Sequence, residues 1–130
     1  MFDHVEFSVA NIDASRRFYR AVCEAIGYRE VFFDAAEGAA GFGAGETVHL
    51  LITGGRKTAP HLHLCLVAAN QAAVEAGHAA ALAAGGVDNG APGFREHYAS
   101  GYFAAFAFDP DGHNVEFLHR QGSDREANAL

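Results

Sequence analysis

HVEFSVAN (residues 4–11) and HLCLVAAN (residues 63–70) are nearly the same eight-residue stretch written twice. Each opens on His, carries an aliphatic second residue and Phe or Leu fourth, and closes on Ala-Asn. In the first, Val5, Phe7 and Val9 alternate with His4, Glu6 and Ser8, the period-two signature of a strand with one face against an apolar layer. In the second, Leu62, Leu64 and Leu66 alternate with His61, His63, Cys65 and Val67. His63 follows His4 by 59 residues, and the same offset carries Gly27 onto Gly86. Agreement at both ends of a unit predicts an internal duplication.

A helix follows each copy. Ile12-Asp13 reads as a hydrophobic staple and N-cap, and Phe18, Val22, Ala25 and Ile26 share one helical side before Gly27 stops the run. Strands are predicted near residues 28–35, 39–43 and 46–53, between Gly-rich turns. After the loop TGGRKTAP the pattern restarts, and the Ala-rich segment 71–84 has strong helix propensity. An insertion, GAPGFREHYASG, then precedes strands near 101–108 and 113–118, joined by a DPDG turn. The fold class is α+β: two pseudo-symmetric β-α-β-β-β modules, about 1–57 and 58–120, forming a cup-shaped mixed sheet. They make a single domain over residues 1–120, followed by a polar, flexible tail at 121–130.

Composition narrows the function. The chain has 130 residues, half of them apolar, and a formal net charge of −7 with nine Lys and Arg. That is enough for one domain with its own core, and without a basic cluster nucleic acid is not expected as a partner. No run is apolar for the length a membrane span needs. MFDHVEFSV lacks a basic n-region followed by an apolar h-region, so no secretory signal is expected. Two cysteines, Cys23 and Cys65, make no disulfide framework, and a reducing cytoplasm is the expected compartment.

Related by a pseudo-twofold axis, His4 and His63 become equivalent positions on the concave side of the cup. The last strand of each module offers a second pair, His49 in TVHLLI and Glu116 in NVEFLH, each polar within an apolar strand. Three imidazoles and one carboxylate suit a divalent cation such as Zn, Ni, Fe or Mn, with open positions to polarise a substrate oxygen. Without a partner, Glu116 in mid-strand is costly. Arg95, His97, Tyr98 and Tyr102 lie in or just after the Gly-rich insertion, which suits a lid. There Arg95 is expected to pair with a substrate carboxylate or phosphate, and Tyr98 to donate a hydrogen bond or act as an acid. His113, in the DPDGHN turn segment, and His78, on the second helix, read as surface residues.

HVEFSVANIDASRRFY, the restart at His63 and FDPDGHNVEF resemble the glyoxalase I / bleomycin-resistance / extradiol-dioxygenase superfamily, the vicinal oxygen chelate fold, over residues 2–119. HLCLVAANQAAVEAGHAAALAAGGVDNGAPGFREHY is similar to bacterial glyoxalase-family proteins with a GG-DNG-PG-R loop. The resemblance implies paired modules around a divalent metal, in a homodimer, with His4, His63 and Glu116 as ligands. Glyoxalase I carries Glu on the fourth strand as part of its proton-transfer apparatus, where the best match here is His49. The expected function is a metal-dependent lyase or isomerase acting on a small oxygen-chelating substrate, with Glu116, Tyr98 and Arg95 as catalytic residues. The alternatives are an Fe(II) extradiol-type dioxygenase, built on His4, His63 and Glu116 alone, and a drug-sequestering protein without catalysis. Whether the cup closes within one chain or across a dimer is left open by the sequence.

Overall fold

The computed structural model describes residues 1–59 and 61–122. The tail expected at 121–130 lies, beyond residue 122, outside the described residues. The first module contains β1 (Val5–Val9), α1 (Ile12–Ala25), β2 (Arg29–Asp34), β3 (Ala39–Ala44) and β4 (Thr47–Gly54). The second contains β5 (His63–Val67), α2 (Gln71–Ala83), β6 (Val87–Phe94), β7 (Tyr102–Phe108) and β8 (Asn114–Arg120). The strands form two four-stranded mixed sheets, ordered β1-β4-β3-β2 and β5-β8-β7-β6. Each module therefore pairs its first strand with its last in parallel and leaves that first strand at an edge.

The terminal Asn of each repeat explains itself in the helices. Asn11 Oδ1 accepts from the Ala14 N–H at 3.1 Å, and Asn70 Oδ1 from the Ala73 N–H at 2.8 Å. Both are N-caps, so the cap of α1 is Asn11 and not Asp13, which falls in the first turn. A short side chain at the N-cap satisfies an orphan N–H and contributes about 1 kcal/mol. At the other end the offset slips by one. The left-handed glycines are Gly27 (φ 94°) and Gly85 (φ 97°), because α2 is one residue shorter than α1.

One core joins the halves. Phe7, Val9, Phe42, Leu50 and Ile52 from the first sheet and Phe103, Ala105, Val115 and Phe117 from the second meet around Phe18, Tyr19, Val22, Val74 and Ala81 of the helices. Close packing explains the small residues of α2. A Cβ at Gly77 would stand 2.7 Å from Phe117 Cδ1 and 3.0 Å from Ile26 Cγ2. Gly77→Ala gains up to about 1 kcal/mol of helix propensity but overpacks a buried ring at a cost of about 1–3 kcal/mol. The overpacking wins, and urea denaturation is expected to show a net loss of stability.

The GAPGFREHYASG stretch is not wholly an insertion. Its first five residues complete β6, an edge strand with register shifts at Asp88/Gly90 and Gly90/Gly93. Edge position and bulges are what allow Pro92 inside a strand, and that composition disguised it as loop.

The DPDG turn clasps the modules together. Tyr19 of α1 donates its hydroxyl to Asp109 Oδ2 at 2.6 Å, and Asp109 Oδ1 accepts the N–H groups of Asp111 and His113 at 2.9 and 2.8 Å. Asp111 Oδ2 accepts the Ala10 N–H at the end of β1, and His113 Nδ1 accepts the Leu62 N–H. His113 is fully buried with its ring edge-on to Phe7, so it is a core residue and not a surface one. His78 is also buried, and its Nε2 bonds Asp88 Oδ1 at 2.9 Å across to β6. Burial on the inner side of α2 follows from sheet packing that helix periodicity alone does not reveal.

Candidate functional site

Strand register decides which side chains share the face of the second sheet turned away from the helices. Residues directly opposite in a ladder point the same way. Tyr102 opposes Arg120, Ala104 opposes Leu118 and Phe106 opposes Glu116 across β7 and β8. His63 opposes Asn114 and Cys65 opposes Glu116 across β5 and β8. His63, Cys65, Glu116, Tyr102, Phe106 and Arg120 therefore lie on one face, and Val115 and Phe117 on the core face.

Glu116, 4 % exposed, has both oxygens engaged. Oε1 stands 2.9 Å from His63 Nε2, and Oε2 accepts the Tyr102 hydroxyl. These partners supply the compensation a carboxylate in an apolar strand requires. Burial and the bond to Glu116 push the Tyr102 hydroxyl above the usual phenol range, so it stays a donor. Burial and the adjacent carboxylate push the Cys65 thiol up to about 12, which keeps it protonated. His63 is oriented in turn by Asn114, whose amide lies 3.0 Å from Nδ1.

His4 and His49 gather in the first module, around Asp3. His4 Nδ1 lies 2.7 Å from Asp3 Oδ1, and His49 Nδ1 lies 2.9 Å from the Asp3 carbonyl oxygen. The hydrogen bond from His4, its charge and the nearby His49 hold the Asp3 carboxyl below the usual range. Both imidazoles border a groove of about 460 Å³ floored by Cys23, Ile26 and Phe42, whose far wall is β5. Among the described residues, no three His, Cys, Asp or Glu side chains converge as a metal-holding group. The four expected ligands thus stand as two pairs, one per module.

Register also shows which positions correspond. Val5 pairs with Leu50 in the first module, and its equivalent Leu64 pairs with Val115 in the second. The counterpart of Glu116 is therefore Leu51, and His49 corresponds to Asn114. The polar residue expected at equivalent fourth-strand positions is two residues out of step, a difference visible only once the strands are paired.

Arg95 and Tyr98 occupy the rim. The Arg95 guanidinium donates to the carbonyls of Gly93 and Ala91 at 2.9 and 2.8 Å and lies over the Phe106 ring. Tyr98 packs edge-on against Tyr102, and the His97 ring tilts against Tyr98. From sequence Tyr102 is a lid candidate and Asn114 and Arg120 carry no site role; register places all three on the face that carries Glu116. Their alternation with Glu116 and Phe106 was visible, but not which strand faced which.

Paired β-α-β-β-β modules, the second joining His63 of its first strand to Glu116 of its last, define the class of fold. The chain matches the Glyoxalase/Bleomycin resistance protein/Dioxygenase superfamily over residues 1–117 and belongs to it. A solved glyoxalase/bleomycin resistance protein from Albidiferax ferrireducens T118 is 28 % identical, covers 92 % of this chain and 99 % of its own, and superposes with a TM-score of 0.79. A glyoxalase-related enzyme from Fulvimarina pelagi, 19 % identical over 91 % of this chain and 86 % of its own, has a TM-score of 0.67. Lactoylglutathione lyase from Agrobacterium tumefaciens, 18 % identical over 91 % and 92 %, has a TM-score of 0.62. No curated protein matches the chain in sequence. Among the described residues, no helix is long and apolar enough to cross a membrane.

Proposed function

We propose that this protein is a divalent-metal-dependent enzyme acting on a small substrate with adjacent oxygens, as a lyase or isomerase, in the cytoplasm. The observation that carries this reading is the contact between His63 Nε2 and Glu116 Oε1 at 2.9 Å. Two donors in adjacent positions around one ion lie about 3 Å apart, given metal–ligand bonds of about 2.1 Å. The pair fits two neighbouring coordination positions without rearrangement, and Asn114 and Tyr102 hold both ligands from behind.

His4 would complete the set from the first module of a second copy, making a homodimer with one cup at each junction. Separation of the pairs within one chain supports this, as do apolar side chains left exposed on both sheets, Phe32 and Val67 among them. His49 stands beside His4, at the rim of that half. When bound, the ion would polarise a substrate oxygen and favour charge developing there. The chain's own share is proton movement. With His63 Nε2 committed to the ion, Glu116 would be the group that takes a proton from a carbon next to a carbonyl and returns it. Tyr102, held protonated, keeps Glu116 Oε2 occupied so that Oε1 alone faces the substrate. Tyr98 and Arg95 frame the entrance.

Leu51 favours a second reading. An aliphatic residue where glyoxalase I has its fourth-strand carboxylate leaves two histidines and one glutamate, a set suited to Fe(II) and oxygen chemistry. Oxygen uptake with a catechol, measured on the iron-loaded protein, separates the two reactions. Elemental analysis of protein purified without chelators tests the metal itself. One ion per chain is expected in the wild type and a loss of at least ~10-fold in occupancy in Glu116→Ala. Equal metal in both, or none in either, removes the metal reading and leaves ligand sequestration.

A further inference from the structure

The substrate-binding arginine expected from the sequence, Arg95, has its guanidinium bonded to two backbone carbonyls. Arg16 and Arg20 are paired with Glu30 and Glu24. Arg120 is placed differently. It sits on β8 four residues beyond Glu116 and on the same face, directly opposite Tyr102. Its guanidinium lies 4.9 Å from the centre of the Tyr102 ring, and that same tyrosine donates to Glu116. Its Nε is buried and, among the described residues, has no hydrogen-bond acceptor. A charged donor removed from water without an acceptor is costly, and such groups ordinarily have a partner.

Between Arg120 and the His63–Glu116 pair, the face is apolar. Ala104, Leu118 and Phe106 form a small buried cluster with Tyr102 packed against it. A ligand reaching both ends would therefore carry an oxyanion at one end, an apolar or aromatic body in the middle and polar oxygens at the other.

We infer that Arg120 is the anion-recognition residue of this cup, binding the carboxylate of a small ligand whose apolar body lies on Phe106 and Leu118. This deepens the reading of the face as a substrate site, but it needs no metal. Stacking on Tyr102 holds the guanidinium in place, so little freedom is lost when the anion arrives.

The test uses protein as purified, with its metal content measured on the same sample. Benzoate, phenyl phosphate and benzyl alcohol are titrated in turn while the Arg120 Nε–H resonance is followed by ¹⁵N NMR. A saturable shift with benzoate is expected, with benzyl alcohol at least ~10-fold weaker, the difference a charge-assisted hydrogen bond makes. Phenyl phosphate is the comparison oxyanion, and weaker binding than benzoate is expected for a carboxylate site. The variants lack that reporter, so their binding is read from the backbone amide shifts of Tyr102 and Leu118. Arg120→Met should bind benzoate no better than benzyl alcohol, and Arg120→Lys, which keeps the charge, should restore part of the preference. Matching thermal midpoints exclude unfolding. The inference is overturned if benzoate gives no saturable shift, if phenyl phosphate binds more tightly, or if folded Arg120→Met keeps the preference. Loss of metal in every sample with benzoate binding intact would instead count against the metal reading alone.

Discussion

Mixing His4→Ala protein with His63→Ala protein is expected to restore bound metal that neither variant holds alone. Each substitution removes one imidazole from every site, and each homodimer should lose at least ~10-fold in occupancy. In a dimer whose cups join the first module of one copy to the second module of the other, a mixed pair behaves differently. One cup combines both intact histidines, and the other combines both alanines. Random subunit exchange then makes half the dimers mixed, so about a quarter of the wild-type metal should return. A site closed within one chain gives no recovery, because every chain still lacks one ligand. Elemental analysis before and after exchange through mild denaturation reads the difference directly. The prediction follows from the two pairs seen in the chain, His4 with His49 around Asp3 and His63 with Glu116.

Asp109→Ala is expected to be the most destabilising change outside the core. The carboxylate is 3 % exposed and accepts from Tyr19, from the Asp111 N–H and from the His113 N–H. Removing it strands a buried hydroxyl and two backbone donors, each worth about 1–3 kcal/mol when left unpaired. Partial relaxation brings the expected loss to about 3–5 kcal/mol, comparable to breaking a buried charged pair. Tyr19→Phe removes only the hydroxyl and should cost about 1–2 kcal/mol. Chemical denaturation of both variants checks the ranking. A loss under about 1 kcal/mol for Asp109→Ala would show that the DPDG turn does not clasp the modules. The clasp sits beside the core aromatics and away from Glu116, so anion binding at Arg120 should survive in the folded fraction.

His113 and His78 show where reading by type fails. Both are polar residues in segments whose composition suggests solvent, and both are buried. His113 is enclosed because its turn folds back over Phe7 and Leu62, contacts made over more than fifty residues of separation. No local pattern encodes such a return.

The sequence alone determined the duplication, the alternation of β1 and β5, and the two helices with their positions along the chain. These depend on periodicity and on caps such as Asn11 and Asn70, interactions between residues close in sequence. It also picked out His4, His63 and Glu116 as candidates. Strand pairing in three dimensions was needed to show that Leu51, not His49, corresponds to Glu116, that Tyr102 and Asn114 hold the His63–Glu116 pair, and that Arg120 shares their face while Arg95 is bound to backbone. Each of these depends on strand register, which is fixed by bulges and turn geometry acting between distant segments. A shift of one residue would turn every side chain to the opposite face.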